Sequence, residues 1–106
     1  MTEPHDRSAA ARLRAAADRF ITRVGHWAPQ RWTPARAQRV HRLVQTLADL
    51  AADVEGEPRR PVPRLDNDLA LVDQVRVMVA DLLLLPDPPP DVLAAATTAI
   101  TTVDLG

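Results

Sequence analysis

The residues with the most chemical potential crowd one short stretch: Arg23, His26, Trp27, Arg31, Trp32, Arg36, Arg39 and Arg42. Guanidinium groups grip phosphate and carboxylate oxygens through paired N–H donors. The free amides at a helix start add to the same positive field. A helix opening at Pro34 puts Arg36 and Arg39 in its first two turns, where the dipole disfavours an exposed cation by about 0.3–1 kcal/mol. Its negative end carries Asp49, Asp53 and Glu55. Something else should offset these placements: the arginines bind an external anion, pair with the acids of helices three and four, or simply lie solvated. On the preceding segment, Arg12, Arg19 and Arg23 fall within about 40° of one another at 100° per residue. They make a basic stripe that can track a phosphate backbone. The candidate anion- or nucleic-acid-binding set is therefore Arg12, Arg19, Arg23, Arg31, Arg36 and Arg39.

Trp27 and Trp32 flank one loop. Paired indoles can stack bases or grip a partner peptide. They can also cap the end of a core with Arg31 stacked on one ring, which is the simpler reading. The histidines His5, His26 and His41 show no i, i+4 metal spacing and no HExxH motif. Arg36 to His41 has an arginine–x4–histidine spacing that resembles the ribonuclease signature of the helical HEPN superfamily, and Arg19 to His26 has the x6 version. The resemblance implies RNA cleavage by Arg36 and His41 in a helical bundle. It covers two residues, and Ala37 or Phe20 stands where that family usually has a polar residue.

Other chemistry finds little material. Ser8 is the only serine, no glycine-rich phosphate loop occurs, and there is no cysteine. Asp66-Asn67-Asp68 lacks the glycine and terminal glutamate of a calcium loop and suits helix capping better. No catalytic set, metal site or cofactor is implied.

The elements that must position these residues are helices. Eighteen alanines, three glycines and three aromatic residues in 106 positions favour helix over strand. The first segment is expected from about Ser8, a plausible N-cap, to Trp27, with Leu13, Ala17, Phe20, Val24 and Trp27 on one face. Thr33-Pro34 opens a second helix over 34–55, which Gly56 stops. Residues 56–64 hold three prolines, forbid helix, and are long enough to cross the end of a bundle. A third helix is expected from about Asp66-Asn67-Asp68 to Leu85, and a fourth from about Pro89 to Val103. Four apolar stripes can be buried only against each other, so the expected fold is an all-α compact four-helix bundle. Residues 1–7 read as a flexible N-terminal tail and 8–106 as a single domain.

Charge is split along the chain. Residues 1–45 carry nine arginines against three acids, a net of +6; residues 46–106 carry four arginines against eleven acids, a net of −7. The two halves can attract each other, the arginines pairing with acids of helices three and four, or can face different partners. Lysine is absent, a composition that suggests GC-rich bacterial coding. No stretch is apolar and long enough for a membrane span, so a cytoplasmic location is the default.

On helix three, Val77 and Leu84 project away from the main apolar face. Surplus apolar surface of this kind is covered by self-association or by a larger partner. The leading reading is a small non-enzymatic protein–protein interaction or regulatory module, a dimer or docked on another protein, with Trp27, Trp32, Val77 and Leu84 as candidate surface residues. Anion or nucleic-acid binding through the arginine-rich region comes second, and a HEPN-like ribonuclease third.

Overall fold

The computed structural model describes residues 5–105, with side chains from Ser8 onward. Four α-helices pack together: α1 (His5–Gly25), α2 (Pro34–Glu55), α3 (Leu69–Leu83) and α4 (Pro90–Thr101), with a single 3-10 turn at Pro29–Arg31. No strand occurs among the described residues. The all-α four-helix bundle expected from the apolar periodicity is the fold observed.

Local signals set the helix ends where they are strong. Thr33 Oγ1 accepts from the Arg36 amide at 3.3 Å, with Pro34 at the first helical position. Gly56 closes α2 at φ 69°, a left-handed cap that an L side chain resists. The start of α1 differs from expectation. The helix opens at His5, so Ser8 lies inside it and is not its cap. Of the expected tail, residues 1–4 lie outside the described residues and 5–7 are helical. At α3 the capping oxygen belongs to Asn67, whose Oδ1 accepts from the Leu69 amide at 2.9 Å; the Asp68 carboxylate makes no cap bond.

The core is a single apolar cluster. Leu13, Leu47, Leu71, Leu82 and Leu93 are fully buried, one or more from each helix. Burying each such side chain contributes about 1.5–3 kcal/mol. No polar or charged residue among the described ones is buried.

Packing places α1 against α4 and α3, and α2 against α3 and α4. The helices α1 and α2 are diagonal, with no Cα atoms within 8 Å of each other, and α3 meets α4 only sparingly. The outer faces of α3 and α4 therefore look in opposite directions.

The proline-rich linker determines this order, by a path the sequence did not indicate. It does not cross the end of the bundle; it retraces α2. Arg59 forks onto Asp53 (Nε to Oδ1 3.0 Å, Nη2 to Oδ2 2.7 Å). Gln45 donates to the Arg60 carbonyl at 2.9 Å and accepts from the Val62 amide at 2.8 Å. His41 Nε2 donates to the Val62 carbonyl at 2.9 Å. Successive linker residues thus meet successively earlier turns of α2. Arg64 and Asp68 end up beside Trp32 and Ala37, so α3 starts next to the start of α2 and runs parallel to it. Extended backbone without internal partners has to find donors and acceptors elsewhere, and the polar edge of α2 supplies them.

Candidate interaction surfaces

The arginine-rich turn resolves into two groups with different fates. Trp27 and Trp32 are 9 % and 7 % exposed. Their rings meet edge-on, centroids 5.1 Å apart at 64°. The Arg31 and Arg36 guanidinium carbons sit 5.1 and 5.5 Å from the Trp27 ring centre, within cation–π range. The indoles therefore cap the core, the simpler of the two readings, with Trp32 also bordering a hollow beside Pro34 and Ala37.

Arg36 is committed internally. Its Nε donates to the Leu105 carbonyl at 2.7 Å and its Nη1 to the Arg31 carbonyl at 2.9 Å. Arg39 Nη1 donates to the Asp104 carbonyl at 2.9 Å. These bonds tie the segment after α4 to the start of α2 and bury Leu105. Both arginines in the first turns of α2 thus find backbone acceptors within the chain. Of the candidate anion set, Arg36 and Arg39 direct donors to backbone carbonyls, and Arg31 stacks on Trp27 with no side-chain hydrogen bond among the described residues.

The remaining arginines gather around α4. Arg19 and Arg23 rim a groove between α1 and α4. Arg39 and Arg42 rim a second groove between α2 and α4. Arg12 continues the α1 row about two helical turns before Arg19. Arg12, Arg19, Arg23 and Arg42 are exposed, and their guanidinium groups have no hydrogen-bond or ion-pair partner among the described residues. Arg42 is an addition to the set expected from sequence. Its three-residue offset from Arg39 could have signalled a shared face, but only knowledge of where α4 lies makes that face a unit. Between the two rows α4 exposes the uncharged Ala94, Ala95, Thr98 and Thr101, with Thr102 at its C-cap and the acidic Asp91 in its first turn.

The opposite face belongs to α3 and is of another character. Leu69, Val77 and Leu84 are 52 %, 52 % and 80 % exposed, joined by Leu65 at 44 %. Leu69, Asp73, Val77, Ala80 and Leu84 share one stripe of the helix, and all five are exposed. Asp81 lies beside the stripe; Asp66 and Asp87 bracket it in sequence. These three acids have no partner among the described residues. Arg76 is held by Asp73 at 3.1 Å and Arg64 by Asp68 at 2.8 Å. A trough of about 630 Å³ between α1 and α3 adjoins it, lined by Ile21, Val79 and Leu83 together with Arg14, Asp18 and Arg76.

The charge split is therefore expressed as two faces and not as an internal network. Asp104 aside, the ion pairs among the described residues (Arg59 with Asp49 and Asp53, Arg64 with Asp68, Arg76 with Asp73) all join residues within the acidic half. Arg59 holds the Asp53 carboxyl below its ordinary range, chiefly through the side-chain hydrogen bonds and then by charge.

Other candidates do not converge. Arg36 faces the C-terminal segment while His41 is bonded to the linker, so the pair resembling the HEPN signature is directed at separate parts of the fold. Arg19 and His26 are both exposed, about two helical turns apart. No group of three or more His, Asp or Glu able to hold a metal ion occurs among the described residues, and no helix is long and apolar enough to cross a membrane. Compared with known proteins, the chain matches no family model, no curated protein and no solved structure.

Proposed function

We propose that this chain is a non-enzymatic helical interaction module, working in the cytoplasm, that docks on a protein partner through the outer face of α3. The observation carrying the reading is the exposure of Leu69, Val77 and Leu84 on one stripe while the core leucines of all four helices are covered. A stripe of this kind loses apolar contact with water when a partner covers it. Its flanking acids, Asp66, Asp73, Asp81 and Asp87, select a partner surface with an apolar centre and a basic rim. A two-fold contact of α3 with itself is disfavoured, because an antiparallel pairing centred on Val77 sets Asp73 against Asp81 of the other copy.

The test compares tagged parent, Leu84→Arg, Val77→Arg and a control, Glu55→Arg, each isolated from the source cells under mild conditions. The reading expects a discrete associated protein with the parent and the control that is absent from both α3 variants. Equal recovery from all four would defeat it.

A second reading is polyanion binding by Arg12, Arg19, Arg23, Arg39 and Arg42, favoured by the absence of neutralising partners on four of them. It expects affinity for single- or double-stranded nucleic acid that falls steeply with salt, and weakening by Arg19→Gln with Arg23→Gln. Salt-independent or absent binding removes it.

A further inference from the structure

We infer that the partner of the α3 face is the α4 face of a second copy of the same chain, so that the protein associates head-to-tail. The inference rests on the docking reading above and deepens it by naming the occupant. Two unexplained surfaces lie on opposite sides of the molecule, and each supplies what the other lacks.

The α3 face offers a protruding aliphatic residue, Leu84, with Asp81 one turn before it and Asp87 three residues after it. The α4 side offers a hollow of about 190 Å³ between α1 and α4. Phe20, Ile100, Val103 and Ala16 contribute its apolar lining, and Arg19 and Arg23 form the rim. A drug-sized ligand needs about 300 Å³ or more, so this hollow suits a single side chain. Inserting Leu84 there brings its neighbouring carboxylates to guanidinium groups that have no partner within the described chain. Arginine and carboxylate then form charge-assisted pairs at the rim of an apolar contact.

The symmetry of such a contact has a consequence. Each copy uses one face to dock and keeps the other free, so growth continues unless the rotation closes a ring. A nucleic acid would use the arginine rows but would leave the α3 stripe uncovered, whereas a second copy covers both surfaces in one interface.

The experiment uses the purified full chain and two variants altered only at exposed positions. One carries Asp81→Arg with Leu84→Arg and has a disabled α3 face. The other carries Arg19→Glu with Arg23→Glu and has a disabled α4 face. Circular dichroism confirms that both fold, and a milder pair, Leu84→Ser and Arg23→Gln, weakens each face in case the first pair does not. Light scattering then reads molar mass against concentration and salt. The parent is expected to exceed a dimer as concentration rises and to shrink with added salt. Each variant alone is expected to be monomeric, and their equimolar mixture is expected to give a heterodimer and nothing larger.

A parent that stays monomeric to millimolar concentration overturns the inference. So does a dimer abolished only by the α3 variant, or growth that persists in the α4 variant. Co-eluting nucleic acid whose removal leaves a monomer also overturns it. A monomeric parent that still shows Leu84-dependent association with a different protein in the cellular test leaves the docking reading standing, so the two failures are distinguishable.

Discussion

Leu82 and Leu84 are the same residue type two positions apart, and their surroundings predict opposite behaviour. Leu82 is fully buried and Leu84 is 80 % exposed. Truncating a core leucine removes its transfer energy and leaves a cavity, so Leu82→Ala should lower folding stability by about 2–5 kcal/mol. Complete burial of a leucine contributes about 1.5–3 kcal/mol. Only a fifth of Leu84 is covered, so Leu84→Ala should cost the monomer about 0.3–0.6 kcal/mol. The uncovered four fifths corresponds to about 1.2–2.4 kcal/mol available to a partner. If docking covers it, the same substitution should weaken association about 8- to 60-fold. Urea unfolding followed by far-UV circular dichroism at low protein concentration gives the first quantity, and concentration-dependent light scattering gives the second. A loss above about 1.5 kcal/mol in Leu84→Ala, or equal losses at both positions, would refute the assignment of Leu84 to a free surface.

Further outcomes follow from other parts of the fold. Gly56 stands at φ 69°, so Gly56→Ala should destabilise by about 1–2 kcal/mol. Gly25 ends α1, and nothing lies within 4 Å of an added Cβ, so Gly25→Ala should raise stability by about 0.5–1 kcal/mol; thermal or urea denaturation reads both signs. Arg36→Gln removes the bonds to the Leu105 and Arg31 carbonyls and should cost about 1.5–3 kcal/mol, with the C-terminal segment cut faster by protease. Because Arg59 depresses the Asp53 pKa, the linker clamp is fully present above the ordinary aspartate range and is lost as pH falls from about 4 through the lowered folded value. An NMR titration should place Asp53 below a free aspartate, and Arg59→Gln should return it upward.

Much of the architecture was legible because its signals are local. Thr33-Pro34 and Gly56 mark α2 by backbone requirements that hold in any context, and the 3.6-residue period put Val77 and Leu84 off the buried face. The fate of the arginines was not legible. Arg36 and Arg39 meet carbonyls 65 and more positions away, and no residue type announces a backbone carbonyl as a partner. The linker path was hidden for the same reason: prolines exclude helix but do not say which edge receives the extended chain. The sequence left open whether the two charged halves pair internally; Asp104 aside, the ion pairs among the described residues stay within the acidic half, although α3 and α4 each pack against both α1 and α2.

The most direct measurement places a photo-reactive side chain at position 84 of the purified full chain and maps the cross-linked peptides by mass spectrometry. A covalent product joining α3 of one copy to α1 or α4 of another, near Phe20 or Ile100, is the expected result. No intermolecular product, or a product joining α3 to α3, would contradict it.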